Sequence, residues 1–187
     1  MSNLFTLICY VIVTVYWSVS SFGNKETVYQ QPALIRWLTR LAPSAGYVLV
    51  FTPLLDVRWF GQRFIPDSFP IRLVGVFGCV AGLAFATWAR RTIGKNWSGN
   101  VTLKKDHELV RTGPYALVRH PIYTGLLLAI AGTAVVLGEW RGIVAVMVTA
   151  LGFANKIRAE EGIMMRQFPG EYPEYRMRVK RIIPFLY

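Results

Sequence analysis

Five apolar runs limit how this chain can fold: residues 4–21, 42–57, 71–89, 122–138 and 142–154. A helix needs roughly 20 apolar residues to cross about 30 Å of hydrocarbon, and several of these runs approach that length. Backbone groups in lipid must find their partners within their own segment, so each run is predicted to be a helix. The first run has no basic residue ahead of it and no small-residue cleavage pattern behind it, which favours a retained helix over a signal peptide. The second carries Pro43 and Pro53. The third contains Gly78-x-x-x-Gly82, a spacing that lets another helix approach closely. Only Glu139-Trp140-Arg141 separates the last two runs, so they read as a tight hairpin with Trp140 as an interfacial anchor. The fifth run is short and must begin or end near an interface. The fold expected is an all-α integral membrane protein of about five transmembrane helices, forming a single domain over residues 1–187.

Charge gives the orientation. The chain carries a net charge of +11. If the five runs cross in turn from an outside N-terminus, residues 22–41, 90–121 and 155–187 lie in the cytoplasm. Those segments hold all 21 Lys and Arg residues except Arg58, Arg63, Arg72 and Arg141. Basic residues concentrate on the inner side of membrane proteins, where they also meet anionic headgroups. This distribution accounts for the basic character without nucleic-acid binding. The expected partner is the lipid bilayer, and the C-terminus is expected in the cytoplasm. Cys9 and Cys79 both fall inside apolar runs, and no spacing suggests a metal site.

The two larger cytoplasmic segments are richer than connectors. Residues 90–121 hold His107 and His120 with Asn96, Trp97, Asn100 and Tyr115; residues 155–187 hold Glu160-Glu161, then Glu171-Tyr172 and Glu174-Tyr175. The hairpin forces these stretches together, as a small-molecule site requires. If the fifth helix continues past its apolar run, Lys156 and Glu160 form an i, i+4 pair. Glu161, beside it, reads as solvent-facing. No G-x-G-x-x-G, phosphate loop, H-E-x-x-H or G-x-S-x-G pattern occurs.

The run Gly113-Pro114-Tyr115-Ala116-Leu117-Val118-Arg119-His120-Pro121-Ile122-Tyr123-Thr124-Gly125 resembles the signature of the isoprenylcysteine carboxyl methyltransferase family. Asn96-Trp97-Ser98 and His107-Glu108-Leu109-Val110 before it, and Glu160-Glu161, Gly170-Glu171-Tyr172-x-x-Tyr175 and Pro184 after it, are similar to that family in order and spacing. The likeness covers residues 90–187; the helices within 1–89 match in character only.

The resemblance implies a membrane methyltransferase using S-adenosylmethionine, with a cytoplasmic pocket formed by the loop before the last hairpin and the C-terminal tail. Cofactor contacts would fall on Asn100, His107, Glu108, Leu109, Val110, Tyr115, His120, Pro121, Ile122, Tyr123 and Glu160. Arg119, His120 and Tyr123 would position the reactants. Glu160 would meet the amine of the cofactor, Tyr115 or Tyr123 its sulfonium through a π face, and His120 or Arg119 its carboxylate. Substrate contacts would fall on Lys156, where the family's lipid-modifying enzymes carry an Arg, and on Arg158. A Lys cannot grip a carboxylate in two-pronged fashion as an Arg does. The lipophilic methyl acceptor therefore stays open among a prenylated cysteine, a phospholipid amine and a small thiol. Methyl transfer to an anionic nucleophile needs alignment and exclusion of water rather than a catalytic triad. Membrane sterol and enone reductases, which use NADPH and carry a similar Arg-His-Pro run, are the alternative enzyme class. A small non-enzymatic membrane protein is the third reading.

Overall fold

A computed structural model describes residues 2–22, 24–30, 33–52, 59–98, 102–104 and 108–186; the side chains of 28–30, 33–36, 38–40, 42–43 and 102–104 are not described. The helices are α1 (Ser2–Ser20), α2 (Ala33–Phe51), α3 (Phe69–Ile93), the single turn α4 (Pro114–Leu117), α5 (Pro121–Leu137), α6 (Trp140–Gln167) and α7 (Glu171–Arg178). A 3-10 turn, Gly94–Asn96, follows α3.

Among the described residues, three helical stretches, Ser2–Ser20, Phe69–Asn96 and Trp140–Gln167, are long and apolar enough to cross a membrane, and α5 is a shorter apolar helix. The chain is thus an integral membrane protein with several apolar helices. At about 1.5 Å per residue, the 28 residues of α6 reach about 42 Å, well beyond a hydrocarbon layer of about 30 Å. Its last turns, which hold Lys156, Glu160 and Glu161, therefore run past the apolar run. The apolar pattern marked only the part of α6 that lipid can touch, which is why the helix ends at Gln167 rather than Ala154. Likewise α2 begins at Ala33, nine residues before the apolar run at 42, because a helix continues through polar residues that hydropathy does not count. Residues 53–57 of that run lie outside the described residues.

The loops sort into two ends. At one, Arg141 N–H donates to the Phe60 carbonyl at 3.0 Å and Phe64 N–H to the Gly138 carbonyl at 2.9 Å. The Arg141 guanidinium reaches the Thr52 carbonyl at 3.0 Å. At the other end, Arg90 donates to the Ser20 carbonyl at 3.0 Å and to Asn24 Oδ1 at 3.3 Å, joining the exit of α1 to the exit of α3. Lys25 N–H meets the Lys95 carbonyl there at 3.0 Å. The first end gathers segments predicted to share one side of the membrane, and the second gathers segments predicted to share the other.

The all-α frame carries one small addition in its connectors. Strands β1 (Thr27–Gln30) and β2 (Thr102–Lys104) form a small antiparallel pair at the second end, with Thr27 opposite Lys104 and Gln30 opposite Thr102. Both lie in polar connectors beyond the helix ends, where a backbone left without intrahelical partners can pair with another.

The core is a seam between α3 and α5. Buried Cys79, Leu83 and Ala129 meet Tyr10 of α1. Gly82 is what permits the approach: a Cβ placed there would sit 2.5 Å from both the Ala129 nitrogen and the Gly125 carbonyl oxygen. Gly78, the other half of the predicted pair, is looser, with Gly132 Cα at 3.4 Å from its hypothetical Cβ. Gly75 makes the second tight contact instead, 2.7 Å from the Gly132 carbonyl. Seven residues apart, Gly75 and Gly82 return to the same helical face.

Candidate active site

The site begins with a short turn-breaking sequence. Gly113 has φ +59°, and the proline after it opens α4. His120, with φ −123° and ψ 59°, is the N-cap of α5, and Pro121 occupies the first helical position, where its missing N–H has no intrahelical role. Between the two helices the chain is extended: Val118 bridges in parallel to Lys180 of the C-terminal segment. Residues 119–123 are thereby carried from the second end of the bundle into the first turn of α5.

There they meet the projecting end of α6. Tyr123 donates its hydroxyl to Glu160 Oε1 at 2.5 Å. His120 Nδ1 lies 3.5 Å from Glu160 Oε2, and its Nε2 lies 3.4 Å from Glu161 Oε1. The Tyr123 ring stacks on Phe153 with centroids 4.6 Å apart and lies near-parallel to His120 at 5.8 Å. Lys156 Nζ is 5.5 Å from the Tyr123 ring centroid, one turn before Glu160. Burial alone would drive the proton off His120. The bonds to Glu160 and Glu161 more than offset that, so its affinity for a proton is raised above that of an ordinary histidine.

A cavity of about 510 Å³ opens beside this cluster, within the range of small-molecule sites. Glu108, Leu109, Val110, Tyr115, His120, Pro121, Ile122, Tyr123, Lys156 and Glu160 all line it. Asn100 and His107 lie outside the described residues. Arg158 is exposed and bonds Asn155 Oδ1 at 3.2 Å; it is not among the cavity's lining residues. Arg119 lines the cavity, but its guanidinium is engaged elsewhere: two nitrogens donate to Glu161 Oε1 at 2.7 and 3.0 Å, and the third to the carbonyls of Arg176 (3.2 Å) and Val179.

Two features were not read from the sequence. Glu161, expected to face solvent, is buried with 5% of its surface exposed. Its neutralisation by Arg119 and Arg181 makes that burial tolerable. The cavity is also lined by aromatic residues from distant elements: Trp17 of α1, Tyr47 of α2, and Tyr172 and Tyr175 of α7. Tyr175 donates to the Tyr115 carbonyl at 2.5 Å, fixing α7 against α4. The Tyr172-x-x-Tyr175 spacing was a usable signal for α7, because residues three apart share a helix face. Trp17 and Tyr47 sit in apolar runs with nothing to mark them.

The family model for the isoprenylcysteine carboxyl methyltransferase (ICMT) family matches residues 73–166, half of the chain, from α3 through the Glu160-Glu161 pair. The chain belongs to that family. A protein-S-isoprenylcysteine O-methyltransferase of Saccharomyces cerevisiae is 35% identical over 125 residues, covering 64% of this chain and 52% of the yeast protein. The cobalt-zinc-cadmium resistance protein CzcN of Cupriavidus metallidurans is 35% identical over 175 residues, covering 89% of this chain and 74% of that protein. Among solved structures, that of the eukaryotic intramembrane Ras methyltransferase ICMT superposes with a TM-score of 0.59 at 26% identity, over 78% of this chain and 51% of that one. The chain thus spans about half the length of the yeast ICMT enzyme and of the solved ICMT structure. The matched region contains the α3–α5 seam, the residue 119–123 strip and the end of α6.

Proposed function

We propose that the chain is a membrane methyltransferase that uses S-adenosylmethionine and methylates a lipophilic or membrane-delivered acceptor. The observation that carries this reading is the meeting of His120 and Tyr123 with Glu160 on the wall of one cavity. When bound, the cofactor supplies a methyl group on a sulfonium sulfur, open to in-line displacement.

The residues present suit such a group. The Glu160 carboxylate offers an anion for its amine, and Tyr123 holds that carboxylate in place. Tyr123 already stacks on Phe153 and His120, so Tyr115 is the better aromatic neighbour for the sulfonium. Of the two residues proposed for the cofactor carboxylate, Arg119 is committed to Glu161 and His120 stays at the cavity wall, where it would exchange one of its contacts with Glu160 and Glu161 for the anion. Glu108, Leu109, Val110, Pro121 and Ile122 complete the walls, and Asn100 and His107 belong to the same proposed contact set. Trp17, Tyr47, Tyr172 and Tyr175 add aromatic surface to the walls, and the cavity would hold donor and acceptor in line.

The acceptor is proposed to reach Lys156, a buried cation on the same wall. A single ammonium suits a thiolate or a carboxylate held at one oxygen. Relatives are named for isoprenylcysteine and for metal resistance alike, and CzcN covers 89% of this chain against 64% for the yeast methyltransferase. An acceptor of either kind, with a nucleophilic heteroatom on an apolar body, fits the site. The five longer helices are proposed to cross the membrane as one domain, with the cavity on the cytoplasmic side and the N-terminus outside. Reporter fusions at each terminus test that orientation.

The deciding experiment is calorimetry on purified protein with S-adenosylmethionine and, separately, NADPH, followed by incubation of labelled S-adenosylmethionine with membrane extract. Binding of the first alone and label in a lipophilic product are expected. Binding of NADPH alone would replace this reading with a reductase.

A further inference from the structure

Glu160 and Glu161 are neighbours in sequence with different tasks. Adjacent residues on a helix point about 100° apart, and only Glu160 is among the residues lining the cavity. Glu161 turns instead into a buried junction of three segments. From the strip before α5 it accepts Arg119 at 2.7 and 3.0 Å and lies 3.4 Å from His120 Nε2. From the C-terminal segment it accepts Arg181 at 2.9 Å and 3.1 Å on Oε2.

That segment is tied to the strip by backbone as well. Arg119 N–H donates to the Lys180 carbonyl at 2.8 Å and His120 N–H to the Arg181 carbonyl at 2.9 Å. Thr124 Oγ1 donates to the Ile182 carbonyl at 2.7 Å. The tail is therefore laid along the residues that carry His120 into the cavity. The imidazole itself is held between two carboxylates, Glu160 on Nδ1 and Glu161 on Nε2.

We propose that Glu161 is a positioning residue: it latches residues 179–182 to Arg119 and His120, and the latch holds the His120 ring against Glu160 at the cavity wall. A buried ion cluster that only added stability would be replaceable by apolar residues of similar size. Here the same carboxylate touches the ring that faces the cavity, so loosening the tail must displace a site residue. The binding part of the test rests on the methyl-donor reading of the cavity; the latch itself does not.

Arg181→Ala is the informative variant, because Arg119 still neutralises Glu161 and the variant is expected to keep its fold. Three measurements are made on the full-length protein in detergent: S-adenosylmethionine affinity, trypsin cleavage after Lys180, and the ring 15N spectrum of histidine-labelled protein. The chain has only two histidines, so His107→Gln assigns His120. Arg181→Ala is expected to weaken S-adenosylmethionine binding about tenfold, the scale of one charge-assisted hydrogen bond, to speed cleavage, and to shift the His120 ring signals. Arg181→Lys is expected to restore all three in large part. Glu161→Gln is expected to move them further. Unchanged His120 signals with an equally protected tail in Arg181→Ala would overturn the latch. So would wild-type affinity in a variant whose tail is released. If the parent protein binds no S-adenosylmethionine, the methyl-donor reading fails, and the cleavage and 15N measurements still decide the latch.

Discussion

The two ends of the helix bundle bury charge to different degrees. At the end holding residues 59–68 and 138–141, Asp67 pairs with Arg63 at 3.7 Å and with Arg72 at 3.3 Å, all about half exposed. At the site end, Arg119 and Glu161 pair at 2.7 Å with about 5% of each side chain exposed, and His120 sits between two carboxylates. An exposed pair gives about 0–1 kcal/mol and needs no special geometry. A buried one must offset a desolvation cost of several kcal/mol per ion, so it persists only where geometry is tight. The far end thus tolerates its exposed Asp67 cluster and shields only the Arg141–Glu139 pair, at 2.6 Å and about one-sixth exposed, whereas the site end buries its pairs almost completely and joins them to a histidine.

The largest contrast is expected in donor binding. Glu160→Gln and His120→Ala should each weaken S-adenosylmethionine binding by at least about 100-fold, equivalent to about 2.7 kcal/mol. Asp67→Asn, at the far end, should leave the affinity within about twofold. Calorimetry on the three variants checks both statements. Near-normal affinity in Glu160→Gln and His120→Ala together would remove the assignment of the cavity. Next in size is a change midway between the ends. Gly82→Val places a side chain against the Ala129 and Gly125 backbone, which cannot retreat as a side-chain tip would. It should cost about 1–3 kcal/mol, read as a lower thermal midpoint. Gly78→Ala, where the nearest atom is at ordinary contact distance, should cost much less.

What could be read from the sequence followed from how strongly local chemistry dictates position. The three-residue link of the hairpin brought the two polar segments together. The strip at residues 119–123 and Glu160, however, were picked out as a site by their resemblance to the methyltransferase family, since alone they read as a helix start and a helix-end ion pair. The lengths of α2 and α6 were not, since hydropathy marks contact with lipid and not the end of a helix. Glu161 was misread because helix rotation, not sequence neighbourhood, decides which of two adjacent carboxylates faces a cavity. The role of Arg119 went the same way: its acceptors on Glu161, Arg176 and Val179 come from segments whose approach depends on the tail. Residues 179–182 have no periodicity to betray them, and their place is set by backbone bonds to the strip. Trp17 and Tyr47 are aromatic residues among many in apolar runs, and only the assembled bundle selects them.

Proton linkage gives a smaller and more selective test of the same contrast. The folded protein holds the His120 proton more tightly than an ordinary histidine with its value near 6.5. The stabilisation from charged His120 is therefore complete below about pH 6.5 and is lost as pH rises through the higher folded value. The thermal midpoint should fall over that window, and His120→Gln should flatten the fall. A variant with the same slope as the parent would show that the two carboxylates do not hold the ring charged.

The smallest effect is expected at the far end, and it is the one that could undo the comparison. Arg63 pairs with Asp67 while its guanidinium also lies under Gly138, whose φ of +70° turns the chain between α5 and α6. If the ion pair alone matters, Arg63→Ala should change stability by less than about 0.5 kcal/mol, and high salt should erase even that. The hairpin would then be held by the backbone bonds from Phe64 and Ile65 to the Gly138 carbonyl, which the substitution leaves in place. A loss above about 1.5 kcal/mol, insensitive to salt, would exceed what an exposed pair can supply. It would mean that the Arg63 side chain supports the α5–α6 turn by packing, and that the far end, like the site end, depends on a particular cation to set the geometry of its helices.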